Sequence, residues 1–123
     1  MAAHAGDTAW TQEKISAAIN HAGRPVMVRY APIASRPGGD PKPGTAITAV
    51  YATREFHGGV LVHSKLCWNG TQRCVPIVAA GVRSKDFNGL DPSRPFYLVH
   101  TVQGRGPLAQ PLFIKGSVTV WYR

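Results

Sequence analysis

The chain has 123 residues, 44% of them hydrophobic and 16% charged; the length argues for one domain and the composition for a globular one, which excludes a disordered chain. No apolar run reaches the roughly 18 residues of a spanning helix, so no membrane insertion is expected. A formal net charge of +8 favours an acidic partner, but the basic residues (Arg24 and Arg29, Lys65 and Arg73, Arg83 and Lys85) form neither a run nor a basic helix, so nucleic acid is set aside.

The chain opens with MAAHAGD. Ala3-His4-Ala5 has the small-x-small form that a signal peptidase prefers, with no charged and apolar regions before it. Residues 1–5 read either as a remnant of processing and expression ahead of an exported chain or as an ordinary alanine-rich start. Residues 6–123 read as a single β domain. Thr8–His21 fits two periods. Trp10, Ile15, Ala18 and Ile19 make a helical stripe behind an Asp7 cap, whereas Ile15, Ala17, Ile19 and His21 alternate. The local pattern leans to helix.

From Pro25 onward the pattern is that of strands and turns. Val26, Val28 and Tyr30 share one face of a strand. Residues 31–44 carry four prolines and three glycines and read as a loop. Ala46–Glu55 is strand-like, with Ile47, Ala49 and Tyr51 on one side. Gly59–Trp68 and Arg73–Val82 read as the arms of a hairpin, because Asn69-Gly70 between them is the strongest short hairpin signal. Ser84–Pro95 is polar and turn-rich. Phe96–Val102 places Phe96, Leu98, His100 and Val102 on one face. Gly104–Pro107 turns, Pro111–Lys115 is a short strand, and Gly116 precedes a last strand, Ser117–Arg123. There Val118, Val120 and Tyr122 oppose Thr119, Trp121 and Arg123. Strands at this spacing predict an all-β, antiparallel β-sandwich-like single domain.

The two cysteines, Cys67 and Cys74, lie on the hairpin arms. Zinc needs about four ligands, and the histidines do not cluster beside this pair. A redox pair takes the Cys-x-x-Cys form, which is absent. A disulfide staple across the hairpin is the best reading. Closing a loop of about eight residues would contribute ~2.5 kcal/mol in the loop-entropy model. A persistent disulfide points to an oxidising compartment, the periplasm or secretion.

Nothing reaches the level of an active site. The six acidic residues show no paired spacing of a general acid and base. His57 and His63 would share a strand face but make only half a metal site, so no metal and no cofactor are expected. His100 sits on an apolar face and reads as a hydrogen-bonded core histidine. Ser64 beside His63 lacks a nucleophile elbow. The chain therefore reads as non-enzymatic. Trp10, Trp68, Trp121, Tyr97 and Tyr122 suit a glycan or peptide platform or simply core packing. Arg123 on a tryptophan would make a cation–π contact.

Several segments, in this order, resemble one known family: Trp10 followed by INHAG at Ile19–Gly23, the hairpin LCWNGTQRCV, PFYLVHTVQGRGPL at Pro95–Leu108, and the terminal VTVWYR at Val118–Arg123. Together they resemble FlhE, a small periplasmic flagellar protein, along about Gly6–Arg123. The resemblance implies a sandwich-like domain exported with a cleaved signal and acting in the periplasm without catalysis. It favours the trimmed-signal reading of the N-terminus, and turns Thr8–His21 towards strand, against the local lean. It also implies a chaperone- or plug-like role in flagellar export and rod assembly, with flagellar export-gate or rod proteins as partners.

The matching positions are Trp10, Asn20, His21, Gly23, Cys67, Cys74, Tyr122 and Arg123. Of these, Trp10, Asn20, His21, Tyr122 and Arg123 are the partner-binding candidates. Trp10 and Arg123 lead, because an exposed Trp and a terminal Arg suit a binding surface. The 31–44 region departs from the family pattern, and nothing is carried over there. The alternative is a periplasmic carbohydrate- or peptidoglycan-binding module. A homodimer through a C-terminal edge strand also stays open.

Overall fold

The computed structural model describes residues 8–33 and 40–123. The Ala3-His4-Ala5 site, the Asp7 cap and the middle of the Pro/Gly-rich loop lie outside them. Among the described residues ten strands follow one another: β1 (Thr8–Ile15), β2 (Ile19–Ala22), β3 (Val26–Tyr30), β4 (Ile47–Glu55), β5 (Val62–Trp68), β6 (Cys74–Ile77), β7 (Gly81–Ser84), β8 (Phe96–Val102), β9 (Gly106–Leu112) and β10 (Lys115–Tyr122). They build two four-stranded sheets, β1-β10-β4-β7 and β3-β8-β5-β6, and a ribbon, β2-β9. Every pairing is antiparallel. The expected all-β, sandwich-like fold is what forms, and no helix occurs among the described residues.

Alternation builds the two central strands. In β10, Val118, Val120 and Tyr122 are buried while Thr119 and Trp121 face outward. In β8, Phe96, Leu98, His100 and Val102 point inward, and all four are buried. The inner faces meet in one cluster, with Val50, Val118 and Val120 from one sheet and Tyr30, Leu66 and Leu98 from the other. Each such side chain contributes roughly 1.5–3 kcal/mol of transfer free energy. Ala31 N–H donates to Gln12 Oε1 at 2.9 Å and ties β1 to the end of β3 along one side of the sandwich. A second cluster, including Ile19, Val62, Val102 and Ile114, seats the β2-β9 ribbon at the far end.

Four expectations are corrected. Thr8–His21 is not a helix: residues 8–15 pair along β10 from Thr8↔Tyr122 to Ile15↔Lys115. The buried residues there are Trp10, Ser16 and Ile19, while Ile15 is 67% exposed, so neither proposed stripe is the buried face. Pairing to a ready-made edge outweighs a weak local helical pattern. In β4 the register shifts beside Trp121 and Tyr122. The inner face then runs through Ile47, Val50 and Ala52, and Tyr51 points outward. A bulge reverses the parity that strict alternation predicts.

The second arm of the hairpin does not run on to Val82. It ends at Ile77, bends where Ala79 takes φ 55°, and resumes as β7 in the other sheet, paired with β4. Finally, no break precedes Ser117. Gly116 lies within β10, and a Cβ there would sit 2.3 Å from the Tyr30 hydroxyl oxygen. The glycine is present because the opposite sheet's tyrosine occupies its side-chain space.

Candidate functional site

The hairpin staple forms as expected. Cys67 and Cys74 are directly opposed in the β5–β6 register, bonded, with Cα atoms 4.0 Å apart. Asn69 and Gly70 both take positive φ in the connecting turn. Trp68 N–H donates to Arg73 C=O at 2.9 Å just beyond the disulfide.

The partner-binding candidates divide between the two ends of the sandwich. Trp10, Tyr122 and Arg123 belong to one end. Trp10 is a core residue, 7% exposed. Its ring lies 6.3 Å from that of Phe96, and its Nε1–H donates to Pro92 C=O at 2.9 Å. Tyr122 is 5% exposed in the same cluster. Burial, and Asp40 to a lesser degree, pushes its hydroxyl pKa up. Arg123 is exposed, and its backbone exchanges two 3.0 Å hydrogen bonds with Ala46. The surface argument for Trp10 therefore does not apply, since its indole is spent on packing and on Pro92.

Asn20 and His21 sit at the opposite end, on β2. With Ile19, Arg24, Pro25 and Val26 they line a cleft of about 250 Å³. Its backbone is tightly fixed. Gly23 takes φ 82° and donates N–H to Val102 C=O at 2.8 Å. A Cβ on Gly23 would meet Gly104 C=O at 2.8 Å, so the β2–β3 turn abuts the β8–β9 turn as only glycine permits. Arg24 follows the first glycine and Arg105 the second. Both are exposed, and among the described residues no ion pair involves either. Along the sequence Arg24 stands near Arg29 and far from Arg105; only the fold brings their two turns together.

Between the sheets at this end lies a buried polar group. His100 Nδ1 and Ser64 Oγ are hydrogen-bonded at 2.6 Å, and Arg54 Nη1 donates to Ser64 Oγ at 2.9 Å. Arg54 reaches across from β4, donating also to Val62 C=O at 2.5 Å and from Nε to Ala79 C=O at 3.0 Å. Its guanidinium lies 5.6 Å from the Phe56 ring. Desolvation and then the Arg54 charge hold His100 down at about 4, so the imidazole is neutral at pH 7. The expected core histidine is therefore found, with Ser64 as its partner. The serine is 6% exposed, and through Arg54 from β4 and His100 from β8 the arrangement ties the two sheets together.

His57 and His63 do not meet. His57 lies in the β4–β5 connection, and His63 contacts Gln103 Oε1 at 3.2 Å. Among the described residues no group of three His, Cys, Asp or Glu side chains is placed to hold a metal ion. Trp68 and Trp121 stand on different sheets. Trp68 is half-buried, its Nε1–H donating to Asp91 C=O at 3.0 Å. Arg83 lies over Trp121, at 5.3 Å.

No family model and no curated protein matches the chain. Among solved structures, the chain is similar to the crystal structure of FlhE, with 25% identity and a TM-score of 0.71. The likeness covers 97% of this chain and 99% of that one.

Proposed function

Because the chain is FlhE-like in fold over nearly its whole length, we propose that it is a non-catalytic accessory of flagellum assembly. It works in the periplasm, in a chaperone- or plug-like role during export and rod growth, on export-gate or rod proteins. The observation that carries this reading is the reciprocal coverage of the FlhE likeness, 97% and 99%, which leaves no large insertion to host a different activity. The Cys67–Cys74 disulfide supports an oxidising compartment. The pinned β2 turn and the Arg54–Ser64–His100 tie support a rigid binding body.

The test is deletion of the gene in its native host, with flagella imaged by electron microscopy, including filaments trapped in the periplasm. The expected result is misassembled or misplaced flagella, restored by the wild-type gene. Normal flagella and motility in the deletion strain would overturn the reading and return attention to the carbohydrate-binding alternative. Retention of the pure protein on a peptidoglycan pellet would then be the next measurement.

A further inference from the structure

The β2 cleft is built from groups that suit one chemistry. Its floor is apolar, from Ile19 and Val26. Its polar groups are the Asn20 carboxamide, the His21 imidazole and the Arg24 guanidinium, and among the described residues no carboxylate lines it. Guanidinium forks bind carboxylates through paired charge-assisted hydrogen bonds, and a carboxamide adds two further donors. A volume of about 250 Å³ lies below the roughly 300–1,000 Å³ of small-molecule pockets, so the cleft suits a side chain with its adjoining backbone. The abutting turn brings Arg105 to the same end of the molecule. The four strands of the β3-β8-β5-β6 sheet, which begin beside the cleft at Val26, contain no Asp or Glu. A net charge of +8 adds long-range attraction for an anion approaching this end.

We propose that the cleft beside β2, flanked by Arg24 and Arg105, is a carboxylate-binding site that takes an acidic extended segment of a protein partner. That the occupant is a protein segment rests on the function proposed above; the carboxylate chemistry rests on the cleft alone. The occupant lays an Asp or Glu carboxylate against Arg24 and Asn20, and its neighbouring apolar side chain on the Ile19–Val26 floor. The Gly23 contact holds the turn in place before binding, so little ordering cost falls on the protein side.

The probe is a capped eight-residue peptide of alternating Glu and Val, titrated into the full chain and followed by backbone amide shifts at low salt. A capped Gln–Val peptide and the same Gln peptide with a free C-terminal carboxylate separate side-chain from terminal recognition. The expected result is saturable shifts at Asn20, His21 and Arg24 with the Glu peptide and weaker ones with the Gln peptide. Arg24→Gln and Arg105→Gln should each weaken binding about fivefold with an unchanged melting temperature, as befits exposed side chains. Equal affinity for the Glu and Gln peptides would overturn the proposal, and so would shifts confined to another surface. Stronger binding of the free-carboxylate Gln peptide than of the Glu peptide would also overturn it, in favour of chain-terminus recognition. These results are independent of the deletion experiment, so failure of the site and failure of the flagellar reading are told apart.

Discussion

His100 has lost its imidazolium form by burial, and Ser64 and Arg54 hold the neutral ring in place. Its pKa falls from 6.5 in the unfolded chain to about 4 in the folded one. Between those values the unfolded state takes up a proton that the folded state refuses. Stability is therefore highest above pH 6.5, declines as the pH drops through the window, and levels off below about 4. The loss is on the order of 3 kcal/mol from this residue. Urea unfolding of the wild type and of His100→Gln at several pH values should show the slope between pH 6 and about 4 shrinking in the variant. An unchanged slope would mean that other groups carry it.

Trp10 makes a second case at this scale. Trp10→Ala should cost about 3–5 kcal/mol, the range for deleting a buried aromatic. Trp10→Phe should cost roughly 1 kcal/mol, mainly by leaving Pro92 C=O unpaired. If Trp10→Ala melted like the wild type, the core assignment would be wrong. The sequence showed that a tryptophan stands early in the chain. It did not show that Phe96 and Pro92 wait for it, since both come from the other half of the chain.

Element by element, β10 is the strand on which the fold turns: it lies between β1 and β4 and carries Gly116 against Tyr30. Gly116→Ala places a methyl group on the Tyr30 hydroxyl and on Leu98, and overpacking of this kind costs about 1–3 kcal/mol. Among the described residues the buried Tyr30 hydroxyl has no hydrogen-bond partner, so Tyr30→Phe should be neutral or stabilising by about 1 kcal/mol. In the double variant the nearest clashing atom is gone, so the two changes should be non-additive in the favourable direction. Chemical denaturation of the four proteins measures the coupling, and strict additivity would contradict the geometry.

The disulfide belongs to this scale too. Cys67→Ser with Cys74→Ser should lower stability by about 2.5 kcal/mol through the loop it releases. Strand existence was largely legible, because β10 alternates cleanly, β8 is rich in apolar and aromatic residues, and Asn69-Gly70 marks its turn. The β4 bulge, the jump from β6 to β7 and the burial of Phe87 in a turn-rich segment were not legible. Each depends on a partner strand or an opposing sheet, which local pattern does not encode.

At the scale of the whole molecule, the cysteine pair and the order of the weak motifs carried the reading towards an exported, FlhE-like protein. The structural likeness agrees with the FlhE-like part of that reading along nearly the entire chain. The candidate residues were legible only as a list. Asn20 and His21 share a cleft, while Trp10 and Tyr122 form core at the other end, a division set by the tertiary fold. The C-terminal strand lies inside its sheet between β1 and β4, so it offers no free edge to a second copy.

The role proposed for this chain is assistance to flagellum assembly from the periplasm. The most direct measurement is complementation of the deletion strain by two versions of the gene, one carrying an export signal and one without it, with flagella counted by electron microscopy. Only the exported version should restore normal flagella. Restoration by the unexported version, or by neither when both are stably produced, would contradict it.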